Sequence, residues 1–227
     1  MNLLSGSGIL DDLRARILSL ELPPGAPLSR SELSARYGIS STPLRDALLR
    51  LQDEGLVDVH PQARTSVSRI DLDQARQTHF LRSAVEVEVV SRLAKAPPEG
   101  LVGELLQLID MQTAEAKRGN LGGFSQLDLA FHAALFRLAR LDQVQRVIRR
   151  ESIHIDRLRA LHLMQPEKAR QILIDHAQIA QGIEDRDPAA AAIAMRQHLS
   201  QSILFGEQLT VRNPDYFLNP TYQPPPG

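Results

Sequence analysis

The sequence predicts a mainly α protein in two parts, an N-terminal winged helix-turn-helix and a C-terminal all-α bundle of six helices. Three observations lead there. The first seventy residues hold short apolar stripes of helical period with clear stops between them, then two alternating runs that read as a hairpin. From Asp71 to about Val211 almost every segment carries helical periodicity. From Asn213 the chain turns proline-rich, with Pro214, Pro220 and Pro224-Pro225-Pro226, and reads as extended or disordered. The parts are therefore expected at 1–70, 71–212 and 213–227.

Each early element has its own punctuation. Ile9, Leu13, Ile17 and Leu20 fall on one stripe of a first helix, which Pro23-Pro24-Gly25 stops. Ser29 and Glu32 form a capping box for a second helix carrying Leu33 and Tyr37 and ending at Gly38. Thr42 is the expected N-cap of a third helix, with Pro43 at its first position and Gly55 closing it. Leu44, Ala47, Leu48 and Leu51 make its buried stripe, leaving Thr42, Arg45, Asp46, Leu49 and Arg50 outward. Leu56–His60 and Thr65–Arg69 are the two hairpin runs, joined by Pro61-Gln62-Ala63-Arg64. This order is that of a winged helix-turn-helix, although a small packing unit without DNA contact has the same pattern. Taken alone, Arg45 is better explained by a solvated surface position.

Six helices are expected near 72–95, 98–118, 121–140, 142–163, 166–185 and 188–211, with Pro97-Pro98, Gly119-Asn120, Pro166 and Asp187-Pro188 between them. A bundle of about 140 residues can bury a substantial core and enclose a pocket. On the third of these helices Asp128 and His132 share one face with Leu121, Phe124 and Leu135. Burying such a pair costs several kcal/mol unless something pairs with it, so it is a local hydrogen bond, a face less buried than its pattern suggests, or part of a ligand set. His176 lies in line with Ile172, Ile179 and Ile183, and His198 with Ala191, Ala194 and Phe205. Three imidazoles and a carboxylate would suit Zn²⁺, Ni²⁺, Mn²⁺ or Fe²⁺.

Composition narrows the function classes. The 26 basic residues nearly balance 27 acidic ones, and 23 of the 26 are arginine. Cysteine is absent, so disulfides and thiolate metal sites are excluded. No apolar run is long enough to cross a bilayer and no signal segment is evident, so a cytoplasmic protein without a membrane partner is expected. A metal-dependent enzyme is the competing class, because such a site can activate water. It lacks support from any HExxH motif, nucleophile elbow or phosphate-binding glycine loop.

The stretch from Pro24 to Val67 resembles the DNA-binding domain of the GntR family of bacterial regulators. The matching residues are Pro24-Gly25, Glu32-Leu33, Gly38-Ile39-Ser40, Thr42-Pro43-Leu44-Arg45, Ala47-Leu48 and Glu54-Gly55-Leu56. The resemblance implies a transcription regulator, most often a repressor, working as a homodimer on a near-palindromic operator. It makes Arg45 a base-reading arginine, with Thr42 and Arg50 on phosphates and Arg64 on the wing. Two departures remove charge from that face. Family members usually carry Arg at the position of Ser41, and Arg-Gly where this chain has Ala63-Arg64. With eight arginines against eight acidic residues in the first seventy, non-specific affinity for DNA should be modest.

Residues 72–211 resemble the FCD sensor domain of the FadR subfamily, and six helices resemble its VanR-type branch. That resemblance implies a divalent metal held by Asp128, His132, His176 and His198, with Zn or Ni favoured. It also implies a small organic-acid effector. Arg82, in the Phe80–Glu86 stretch, either clamps the effector carboxylate or pairs with Glu86 one turn on. Arg157, Arg159, His154 and His162 are further pocket candidates among which the sequence does not choose, and His60 and His79 read as surface or interdomain residues. A purely structural metal, or a metal that is itself sensed, is the remaining alternative.

Overall fold

The computed structural model describes residues 6–59, 64–165 and 167–218. The chain divides into two compact units. One comprises the residues up to Asp73 together with those from Gln208 onward, and the other is Gln74–Glu207.

The first unit contains helices α1 (Gly6–Leu18), α2 (Arg30–Tyr37) and α3 (Ser41–Asp53) and strands β1 (Val57–Val59) and β2 (Thr65–Val67). Ile9, Leu13 and Ile17 of α1 are fully buried, as are Leu44, Leu48 and Leu51 of α3 to within one per cent. Arg14 clasps Glu54 with two donors, at 2.8 and 2.6 Å, and so fixes α1 against the end of α3. Ser29 caps α2 by accepting from the Glu32 N–H at 3.3 Å, a bond of a kind that contributes about 1 kcal/mol. Gly38 ends α2 at φ 63°, a left-handed conformation that a side chain disfavours. The third helix begins one residue earlier than its expected cap. Ser40 is extended (φ −73°, ψ 171°), so Thr42 lies within the first turn instead of capping it. Pro43 also sits in that turn, where a missing N–H leaves no bond unmade.

β1 and β2 pair antiparallel, Val57 with Val67 and Val59 with Thr65. The expected turn residues Pro61, Gln62 and Ala63 lie outside the described residues, as does His60. The segment that stops α1 also pairs with β2. Gly25 and Leu28 donate to the carbonyls of Val67 and Thr65, and Val67 donates to Ala26.

The end of the chain differs from its reading as a proline-rich tail. Pro214–Tyr216 form a 3-10 turn, and Ile70 donates to Tyr216 and accepts from Leu218 at 2.8 and 3.0 Å. Phe217 is 3% exposed. One buried aromatic and two backbone bonds are enough to order a segment whose prolines suggested otherwise. Pro220 and Pro224–Pro226 lie outside the described residues.

The second unit is helical throughout the described residues: α4 (Leu72–Lys95, entering from the first unit), α5 (Leu101–Lys117), α6 (Leu121–Leu138), α7 (Asp142–Glu151), α8 (Ile153–Leu163), α9 (Lys168–Glu184) and α10 (Pro188–Arg212, which runs on into the first). The segment expected as one helix over 142–163 is two. Ser152 interrupts it, turning its hydroxyl back onto the Ile148 carbonyl at 2.6 Å, while Thr78 caps the Glu151 carbonyl at 2.8 Å. Seven helices therefore stand where six were expected, and helix number no longer argues for the VanR-type branch. Val90, Leu93, Leu101, Leu105, Phe131, Leu135, Ile179, Ile183 and Met195 form the centre of the core.

α9 and α10 pack tightly at Gly182. A Cβ built there would stand 2.7 Å from the Ala191 nitrogen and 2.9 Å from its Cα. Backbone cannot yield as a flexible side chain can. Gly182→Ala is expected to destabilise the protein by about 1–3 kcal/mol. At about 2–4 °C per kcal/mol the loss should appear in the thermal midpoint. A midpoint unchanged by the substitution would mean that the two helices separate freely.

Candidate metal centre and nucleic-acid interface

α6 carries Asp128 and His132 one turn apart, α9 carries His176, and α10 carries His198. All four are buried, between 0% and 7% exposed. One ligand atom from each lies within 4.8 Å of the other three. His132 Nε2 is 3.1 Å from His198 Nε2, and His176 Nε2 is 3.5 Å from Asp128 Oδ1. The His176 ring is held flat against Phe131, with centroids 3.9 Å apart and planes 4° from parallel.

What stands behind each ring decides its tautomer. His132 Nδ1 lies 2.6 Å from Glu86 Oε2. His176 Nδ1 lies 2.9 Å from Gln112 Oε1, and the Gln112 amide is oriented by its own donation to the Phe124 carbonyl. His198 Nδ1 faces Asp175 Oδ2 at 3.5 Å, with that carboxylate held by Gln171 and Gln201. For His132 and His176 the acceptor on the Nδ1 side favours the proton there and leaves Nε2 with a lone pair, whereas the buried His198 Nδ1 makes no hydrogen bond. Burial, then the repulsion of the neighbouring imidazoles, holds His176 and His198 well below the usual histidine range, so both are neutral. The buried Asp128 Oδ1 and His176 Nε2 have no hydrogen-bond partner. Convergent lone pairs, neutral rings and unsatisfied buried acceptors are the chemistry of a cation site, and the donor set fits a divalent ion.

A small cleft adjoins the cluster, lined by Arg82, Glu86, His132, Arg149, Ser152 and Arg159 together with the apolar Leu129, Phe136 and Ile148. Arg82 is buried and donates to Glu86 Oε1 at 2.6 Å, so the expected ion pair forms and the residue still lines the cleft. Arg159 reaches Asp128 Oδ2 and also Asp156, and Asp156 is held in turn by Arg149 at 2.8 Å. Among the residues that the sequence left unsorted, the structure selects Arg159. Arg157 is buried beside His154, and His162 stacks on Phe205 with centroids 4.2 Å apart. His79 is half-buried, 3.5 Å from the Ser83 hydroxyl. Sequence reasoning missed Gln112, Asp175, Arg149 and Asp156 in this site, and gave Glu86 only a salt bridge. Asp175 directly precedes His176, and Glu86 follows Arg82 by one turn. Those are the only signals the sequence offered.

In the first unit α3 buries its apolar stripe and exposes Thr42, Arg45, Asp46, Leu49 and Arg50. Neither Arg45 nor Arg50 forms an ion pair among the described residues. Arg64 is exposed just ahead of β2. The expected DNA-facing residues of α3 therefore share one uncovered helix face.

A winged helix-turn-helix joined to a helical bundle with an internal polar cluster defines a sensor-coupled DNA-binding regulator, and comparison with known proteins gives the family. Residues 6–67 match the bacterial regulatory proteins of the GntR family, and residues 77–201 match the FCD domain. The chain belongs to the GntR family and carries an FCD domain. It is 36% identical to a helix-turn-helix transcriptional regulator of Streptomyces ambofaciens over 90% of this chain and 86% of the relative. It is 32% identical to the transcriptional repressor RspR of Escherichia coli K12 over 90% of each. The gluconate operon repressor of Bacillus subtilis is 23% identical over 93% of this chain and 91% of its own. Among solved structures, E. coli McbR/YncC superposes with TM-score 0.72 at 18% identity, covering 91% of this chain and 99% of that one. A GntR-type regulator from Rhodococcus sp. RHA1 gives 0.73 at 18% identity, covering 88% and 95%. These structures share the fold. The chain is a DNA-binding transcription regulator with a ligand-sensing domain, and not an enzyme. Among the described residues no helix is long and apolar enough to cross a membrane.

Proposed function

We propose that this regulator is a homodimeric repressor whose FCD domain holds one divalent metal through Asp128, His132, His176 and His198. A small carboxylate effector then binds in the adjoining cleft. The observation that carries this reading is the convergence of three buried imidazoles and the Asp128 carboxylate, with His132 and His176 held on their other nitrogen by an acceptor. Zn²⁺ or Ni²⁺ is the favoured ion, since imidazole suits both. Four protein ligands leave up to two positions on an octahedral ion for water or a hydroxy acid. Arg82 and Arg159 at the cleft provide guanidinium forks of the kind that grip carboxylates. The repressor assignment rests on the relatives named as repressors, one of them for a gluconate operon. The proposal extends to a near-palindromic operator, read by Arg45 at base edges and held at phosphates by Thr42, Arg50 and Arg64. Effector and operator affect each other through differential preference for two arrangements of the dimer.

Three outcomes are expected. His176→Ala should lower bound metal, read by elemental analysis of untagged protein alongside circular dichroism to verify folding. Wild-type protein that takes up none of Zn²⁺, Ni²⁺ or Mn²⁺ would remove the site. Arg45→Ala should weaken operator binding by about 1–3 kcal/mol at fixed salt and erase preference over random DNA, with metal content unchanged. An unaltered operator affinity would mean that another face of the unit reads the bases. Sedimentation should show a dimer at micromolar concentration, as paired half-sites require, and a monomer with and without operator would count against the scheme.

A further inference from the structure

Of the three groups that back the histidines, Glu86 has a position the others lack. Gln112 behind His176 is a neutral amide, and Asp175 behind His198 stands off at 3.5 Å and is occupied by two glutamine side chains. Glu86 is 2% exposed, and its two oxygens are committed in opposite directions. Oε2 lies 2.6 Å from His132 Nδ1, and Oε1 accepts from Arg82 Nε at 2.6 Å. Arg82 lines the cleft, and His132 presents Nε2 to the cluster. Glu86 is not itself in the ligand set, because the His132 ring stands between it and the convergence point.

We propose that Glu86 is a positioning residue that fixes the Nδ1–H tautomer of His132 and couples the strength of that ligand to the state of Arg82 in the cleft. This rests on the metal reading above. A carboxylate can accept on both oxygens at once, so it satisfies His132 and Arg82 together. An amide has a single acceptor atom, its oxygen, beside an NH₂ that only donates, so it cannot face an acceptor toward both sides at once. If the amide introduced by Glu86→Gln turns its oxygen to Arg82, its NH₂ meets His132 Nδ1, and the ring must move its proton to Nε2, where it points into the metal position. If the oxygen turns to His132, the amide donor confronts the Arg82 donor. The double acceptor is therefore what lets an arginine in the cleft and a metal ligand coexist. Any anion that draws Arg82 away leaves Glu86 to bear more fully on His132, which strengthens the ligand. Metal and anion should therefore bind with positive cooperativity, reciprocal for the two ligands.

The test uses the full-length protein and Co²⁺ alone. In metal-free wild type, ¹⁵N correlation spectra of the histidine rings should show His132 protonated on Nδ1. In Glu86→Gln the same ring should shift toward Nε2–H. Co²⁺ affinity should fall about 10–100-fold in Glu86→Gln, with a changed visible absorption band, while circular dichroism remains that of wild type. The decisive step is the double-mutant cycle. With Arg82→Met, the oxygen of the introduced amide is free to serve His132, so Glu86→Gln should cost at least about threefold less affinity than beside Arg82. Additive effects, or an Nε2–H His132 in the wild type, would overturn the relay even if the tetrad binds metal. A wild type that binds no Co²⁺ would overturn the metal reading itself, and the relay with it.

Discussion

Acceptor atoms turned toward one another inside a helical bundle must be offset by positive charge, and the second unit is organised around that requirement. Three imidazole nitrogens and a carboxylate oxygen share a space less than 5 Å across, beside a core built chiefly from alanine, leucine, isoleucine, valine and phenylalanine. Glu86 and Gln112 tether the far nitrogens of His132 and His176, Phe131 clamps the His176 ring, and Asp175 faces His198 at 3.5 Å. The orientation is maintained by groups drawn from α4, α5, α6 and α9, so the cluster is a property of the bundle and not of any one helix. The tight crossing at Gly182 and Ala191 sets the relative position of the helices bearing His176 and His198.

The two units meet different physical demands. In the first, the core is apolar and the arginines face solvent or form peripheral pairs such as Arg14 with Glu54. The unit's first seventy residues bring no surplus charge to attract DNA from a distance. In the second, the charges are inside. Arg82 pairs with Glu86, and Arg159 pairs with both Asp128 and Asp156, so every one of these acids meets a base. A new anion entering that set must displace an existing partner, so its binding is bound up with rearrangement of the old pairs.

Much of this was legible in the sequence, for identifiable reasons. Caps and prolines are local chemistry, which is why the Ser29 cap, the Gly38 stop and the breaks near Pro97 and Pro188 lie where the residues put them. Apolar periodicity is also local, and it placed the buried stripe of α3 and put all four members of the tetrad on inward faces. Three features were not legible. The break at Ser152 involves neither glycine nor proline, only a hydroxyl that competes for a carbonyl. Phe217 orders the end of the chain through a pairing with Ile70, far away in sequence. Gln112 and Asp175 back the histidines across helices, and nothing about a buried glutamine on its own helix announces the ring it will hold.

The donor set has a consequence for the cell that uses it. With three imidazoles, one carboxylate and no thiolate anywhere in the chain, the site has no sulfur chemistry to offer. Soft ions gain nothing there, and oxidants cannot expel the metal by joining cysteines. Among the borderline divalent ions such ligands discriminate mainly by the general order of complex stability, which copper heads. Which ion would reside in the proposed site is therefore set by what the surrounding metal pool leaves available. Such a regulator would draw its metal from the supply, with no thiol through which an oxidant could displace it.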